Sequence, residues 1–208
     1  MLDSSSLSRI LSEMSDDGEY RQFFGFAYRS VSLRHIIGPQ TPSPLYAAFP
    51  GSLGNGFLSP NRENRTLYIA TEVETAHREG NQAFYGLLKV MGPSSTELFP
   101  SEESVLLGLR VSLMRLLDLR VPAIQTRLET SQEELAGPWK TVSDASTQRL
   151  GDAIAESKEF DGLIYTSVRH TGGTCLALFP DLLRSGSRIE FLSRTERVPS
   201  VLLAGDRK

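Results

Sequence analysis

The sequence predicts an α+β fold: a single compact domain with central sheet strands and flanking helices. Three observations lead there. β-favouring runs of aromatic and branched residues stand at Phe23–Val31, Thr66–Thr71 and Leu163–Val168. Apolar residues recur at helical spacing over Leu7, Ile10, Leu11 and Met14, and again over Leu150, Ile154 and Ala155. No internal repeat, low-complexity tract or clean linker divides the 208 residues. A chain of that length can bury roughly 70% of its unfolded surface, so its core needs no metal or disulfide staple.

In chain order, residues 1–20 read as an N-terminal segment carrying a short amphipathic helix, capped by Ser6 or Ser8 and ended at Asp16-Asp17-Gly18. The pattern leaves open whether this helix is packed or mobile, and the main domain is expected over 21–208. Phe23–Val31 is the first strand. Gly38–Pro60 is dense in proline and glycine and reads as a long loop. Thr66–Thr71 is the next strand, followed by a helix capped by Thr75 with His77, Arg78 and Glu79 in its first turn and Phe84, Leu87 and Leu88 beyond. Val105–Leu116 fits strand or helix and is read as a strand. Ser131–Leu135 and Ser146–Ser157 are helices. Asp161-Gly162 turns the chain into Leu163–Val168, Gly172-Gly173 closes a hairpin onto Cys175–Phe179, and Arg188–Leu192 is the last strand.

Charge and motif content exclude several functions. With 22 basic and 25 acidic residues the net charge is −3, so no overall basic field attracts nucleic acid directly. The most apolar stretch, Val105–Val121, is broken by Arg110, Arg115, Asp118 and Arg120, which excludes a membrane span there. A lone Cys175 and an N-terminus with no basic region ahead of an apolar stretch point to a reducing, cytoplasmic setting. The glycines at 51, 54 and 56 lack the Gly-Lys-Ser/Thr of a P-loop and the third glycine of a dinucleotide fingerprint. His35, His77 and His170 share no metal-ligand spacing with Cys175, so no metal site is expected.

Several short blocks in order carry more information: Tyr28-Arg29-Ser30-Val31-Ser32; Thr66-Leu67-Tyr68-Ile69-Ala70-Thr71 with Thr75-Ala76-His77-Arg78-Glu79; Leu116-Leu117-Asp118-Leu119 with Thr147-Gln148-Arg149-Leu150-Gly151; and Asp161 through His170, continuing over Gly172-Gly173 to Leu178-Phe179. This succession resembles the RES domain family from about Phe26 to Phe191, and the last block is the most specific. The resemblance implies an ADP-ribosyltransferase-like fold with a cleft for NAD. It implies an NAD-degrading enzyme, a glycohydrolase or phosphorylase at the nicotinamide–ribose bond, acting as the toxin of a bacterial toxin–antitoxin pair. The implied partner is a helix-turn-helix antitoxin; NAD is the substrate and no other cofactor is implied. By matching positions, Arg29, Tyr68, Glu79 and Ser167 form the functional set.

Those residue types suit the chemistry. Cleavage at the nicotinamide–ribose bond develops a sugar cation like that of glycoside cleavage. A carboxylate such as Glu79 can hold the ribose hydroxyls and stabilise that charge. Arg29 can grip a pyrophosphate bidentately, Tyr68 can stack on the nicotinamide, and Ser167 can orient the carboxylate or bind substrate. Each also has an ordinary structural reading: a paired surface arginine, a half-buried strand tyrosine, a solvated helical glutamate and a strand hydroxyl. Arg169 and His170 read as hairpin caps, Cys175 as a small buried hydrophobe, and Trp139 as a core or loop anchor.

One departure stands out. Many RES sequences carry Gly-Arg-Phe or Gly-Arg-Trp ahead of the tyrosine strand, where this chain has Gly54-Asn55-Gly56-Phe57. Arg62 and Arg65 are the nearby replacements. Two other functions therefore stay open: transfer of ADP-ribose to a protein, and a catalytically weak module that only binds a partner.

Overall fold

Alternating burial settles the segment that fitted both strand and helix. Leu107, Leu109, Val111 and Leu113 are buried while Leu106 and Arg110 are exposed, a period of two that only a strand provides. The computed structural model describes residues 2–33, 56–60, 64–81, 104–137 and 145–192, and the backbone of 201–203. Its strands are β1 (Arg21–Ser32), β2 (Leu67–Ala70), β3 (Ser104–Asp118), β4 (Gly162–Thr166), β5 (Thr174–Leu178), β6 (Arg188–Phe191) and β7 (Val201–Leu203). They form one sheet in the order β1-β2-β5-β4-β3-β6-β7, and β1 also pairs with β3. The first five strands therefore close into a ring, with β6 and β7 extending from β3. Among the described strands, only β3 and β4 pair in parallel. The long β1–β3 ladder runs from Arg21 opposite Leu116 to Ser32 opposite Ser104.

Helices flank this sheet: α1 (Ser4–Asp16), α2 (Val73–Gly80), α3 (Pro122–Arg127), α4 (Gln132–Leu135) and α5 (Ser146–Ser157). The α+β class with central strands and flanking helices is the one the sequence predicts. One core cluster joins Leu67, Ile69, Leu109, Leu113, Leu176 and Ile189 between strands. A second lies under α1 and α5, where Leu7, Leu11, Met14, Leu150, Ile154 and Phe160 are fully buried. Burying a leucine contributes about 1.5–3 kcal/mol, so the contact with α5 holds α1 in place. No helix among the described residues is long and apolar enough to cross a membrane.

Several local expectations are corrected. The cap of α1 is Asp3, whose Oδ1 accepts from Ser6 N at 2.9 Å, rather than Ser6 or Ser8; a carboxylate both caps the amides and meets the positive end of the helix. Thr75 lies inside α2, which starts two residues earlier, so Glu79 sits near its C-terminal end. The Pro122 helix was not expected, although proline at the first helical position is its signature. Arg188–Phe191 is followed by a further strand, β7. In the expected 38–60 loop, Phe57 and Leu58 are buried. Most of that loop, together with His35, Arg62, Phe84, Leu87, Leu88 and Trp139, lies outside the described residues.

Two aspartates fasten the framework. Asp161 is wholly buried and joins β3, β4 and the segment before β6 through its carboxylate. Asp118, at the end of β3, receives Arg120 Nε at 2.8 Å and Arg120 Nη2 at 2.7 Å. Burial opposes its ionisation, but the bonds from Arg120 outweigh it and hold the carboxyl below the usual aspartate range. A depressed carboxylate contributes stability that is complete above the unfolded value and lost as pH falls through the folded one. Asp118→Asn is therefore expected to flatten the loss of thermal stability between about pH 4 and pH 2, measured by melting across that range. An unchanged acid limb would show that other carboxylates govern it.

Candidate functional site

The site forms where α2 meets the ends of β1, β2 and β4. Gly80 sets the approach: a Cβ there would lie 2.6 Å from Ser30 Cβ and 2.8 Å from Ser30 O, so only glycine lets α2 sit this close to β1. Thr75, buried on α2, donates to Glu72 Oε2 at 2.8 Å and meets His170 Nδ1 at 2.7 Å. Because the hydroxyl's one proton is spent on Glu72, the Nδ1 of His170 carries the proton of that second bond. These contacts tie α2 to the hairpin between β4 and β5.

Glu79 is thereby brought to that hairpin. Ser167 Oγ donates to Glu79 Oε1 at 2.6 Å, and Arg169 Nη1 donates to Oε2 at 2.8 Å. Ser167 stands just past β4 in the turn, not within the strand as expected. Its oxygen accepts from Arg169 N at 3.1 Å and His170 N at 3.0 Å. The turn is closed by Ser167 N donating to Gly173 O and Gly173 N donating to His170 O, both at 2.9 Å. One turn thus holds both oxygens of one carboxylate. Arg169 is more than a hairpin cap, and its place two residues after Ser167 was the available signal.

The second half of the site is aromatic. Tyr68 on β2 accepts from Phe57 N at 2.9 Å through its Oη, and burial pushes its phenol upward. Phe57 lies 5.0 Å from the Tyr165 ring at 59° and 6.5 Å from the Tyr68 ring. Burial also raises the Tyr165 phenol, and the residue packs against the small cluster of Ala70, Ala76 and Cys175. Phe57 and Tyr165 were not among the expected site residues. Tyr165 belongs to the most specific sequence block, whereas Phe57 stood in a segment read as loop. Cys175 is buried, and burial pushes its thiol up to about 12, so it stays protonated and inert.

Arg29 lines the same region from β1. Its Nη1 donates to Tyr68 O at 3.0 Å, and burial pulls its guanidinium down to about 10, which still leaves it charged near neutrality. It is half-buried. The sequence-predicted residues therefore fall into two contacts, Glu79 with Ser167 and Arg29 with Tyr68. Arg65, a suggested replacement for the Gly-Arg-Phe arginine, is engaged by Asp181, with Nη2 at 2.5 Å from Oδ1. Among the described residues, no group of three histidine, cysteine, aspartate or glutamate side chains is arranged to hold a metal ion.

Comparison with known proteins agrees with this architecture. A chain in the crystal structure of the M. tuberculosis MbcT–MbcA toxin–antitoxin complex superposes with a TM-score of 0.60 over 90% of this chain and 91% of that one, at 15% identity. That likeness establishes the fold. No curated protein matches the chain. The RES domain model matches residues 22–200, which takes in β2 to β6, all but the first residue of β1 and both halves of the site, and the protein belongs to the RES domain family.

Proposed function

We propose that the protein cleaves the nicotinamide–ribose bond of NAD, as a glycohydrolase or phosphorylase. The observation that carries this reading is the Glu79 carboxylate, fastened by Ser167 to the turn that follows β4, the strand whose Tyr165 packs on Phe57. Breaking the bond leaves positive charge on the ribose, and a fixed carboxylate stabilises that charge without reorganising during the reaction. Ser167 keeps Glu79 in one rotamer. The rings of Tyr68 and Tyr165 offer the nicotinamide a face and exclude water. Arg29, charged at neutral pH, takes the pyrophosphate. Water or inorganic phosphate then accepts the ribosyl group; neither needs a further residue type.

RES membership and the structural neighbour's presence in a toxin–antitoxin complex support a second part of the proposal. The protein acts as a toxin on cellular NAD and is held in check by an antitoxin, a helix-turn-helix protein, that covers the cleft.

The test is direct. Purified protein incubated with NAD is expected to release nicotinamide, with ADP-ribose or its 1″-phosphate as co-product according to whether phosphate is supplied. Release of no nicotinamide under either condition would overturn the reading. Labelled ADP-ribose accumulating on protein would identify a transferase instead.

A further inference from the structure

The Arg169–Glu79 ion pair occupies the place the proposed substrate needs. Glu79 is the group offered to a developing sugar cation, and in this structure a guanidinium already sits on its Oε2 at 2.8 Å. A positive charge there opposes both the cationic nicotinamide and the sugar cation that follows. Arg169 must therefore give way as the substrate enters, and the dinucleotide carries the anion that can take its place.

We infer that Arg169 is a substrate-binding residue that exchanges Glu79 for the pyrophosphate of the bound dinucleotide, an inference that rests on the NAD-cleaving reading. The Arg169 and Glu79 side chains are 32% and 20% exposed. A pair so open to solvent is weakly held and readily traded for another charged partner. The movement is confined to the side chain, because the backbone of the turn is fixed through Ser167 and Gly173. Among the described residues, the Arg169 guanidinium makes its hydrogen bond to Glu79 alone. Arg65 and Arg120 are paired with structural carboxylates instead, Arg65 with Asp181 and Arg120 with Asp118. Arg169 thus supplies the second phosphate contact that Gly54-Asn55-Gly56-Phe57 lacks. The exchange also couples binding to activation, since the same movement that grips the phosphates bares the carboxylate.

Two substrates and one product separate this role from mere support of Glu79. For Arg169→Ala, the KM for NAD is expected to rise roughly tenfold to a hundredfold, the loss of a charge-assisted contact. The KM for nicotinamide riboside, which has no phosphate, is expected to fall, because the competitor for Glu79 is gone. Calorimetric binding of ADP-ribose is expected to weaken by the same factor as NAD, and Arg169→Lys to recover part of it. A melting temperature close to that of the wild type shows that the variants are folded. Wild-type and Arg169→Ala proteins binding ADP-ribose equally would overturn the inference and leave NAD cleavage standing. So would a fall in kcat on both substrates with KM unchanged, the mark of a residue that only positions Glu79. A wild-type protein that neither binds ADP-ribose nor releases nicotinamide would overturn the NAD reading, and this inference with it.

Discussion

Glu79→Gln is expected to abolish NAD turnover while leaving the protein folded. The substitution keeps the side-chain length and an oxygen that can accept from Ser167 Oγ, so the helix-to-hairpin contact at 2.6 Å survives. What disappears is the negative charge that the proposed reaction sets against the ribose. Removing one preorganised electrostatic group from an active site typically costs 10²–10³ in kcat, about 2.7–4 kcal/mol of barrier, and on the proposed mechanism this charge is the one that stabilises the sugar cation. The stability cost is small, because the pair with Arg169 is part-exposed and such pairs contribute about 0–1 kcal/mol. Nicotinamide release and thermal melting, measured on one preparation, check both halves. Turnover within threefold of the wild type would remove Glu79 from the mechanism. A large drop in melting temperature would make it a structural residue instead.

Different parts of this molecule were legible to different degrees, for physical reasons. Strand propensity is local, so Phe23–Val31, Thr66–Thr71 and Leu163–Val168 announced themselves, and the structure differs there only at the ends. The loop reading of Gly38–Pro60 did not foresee that Phe57 and Leu58 are buried, because burial is a tertiary property. Phe57 enters the core where Gly151 of α5 leaves room, and a Cβ at that glycine would stand 1.6 Å from the Phe57 carbonyl oxygen. No pattern inside the proline-rich stretch could reveal a partner nearly a hundred positions later. The same limit applied to the site. Glu79 and Ser167 stand 88 residues apart, so composition and spacing offered each only as an ordinary helical acid or strand hydroxyl. Resemblance to a family named them together; it named neither Arg169 nor Tyr165, which the turn and the strand before it add.

The largest stability loss is expected away from the chemistry, at Asp161. Its carboxylate accepts from Met114 N at 2.9 Å, Arg115 N at 3.1 Å, Arg184 N at 2.7 Å and Ser187 Oγ at 2.5 Å. These donors belong to β3 and to the chain between β5 and β6, and Asp161 itself opens β4. One carboxylate thus collects hydrogen bonds from β3 and from the segment ahead of β6 in a wholly buried place. Asp161→Asn replaces one acceptor oxygen with an NH₂ group that must point at a donor. At least one buried N–H or O–H then loses its partner, and the remaining bonds lose their charge assistance. Breaking a buried charged network by removing one member costs about 3–5 kcal/mol. For a chain of this size that is a fall of roughly 6–20 °C in melting temperature. Because β4 ends at the turn that carries Ser167 and Arg169, turnover in the variant should fail as the protein melts rather than at low temperature. Melting within 3 °C of the wild type would show that the four donors find other partners. Loss of turnover without loss of stability would instead connect Asp161 to the site through the register of β4.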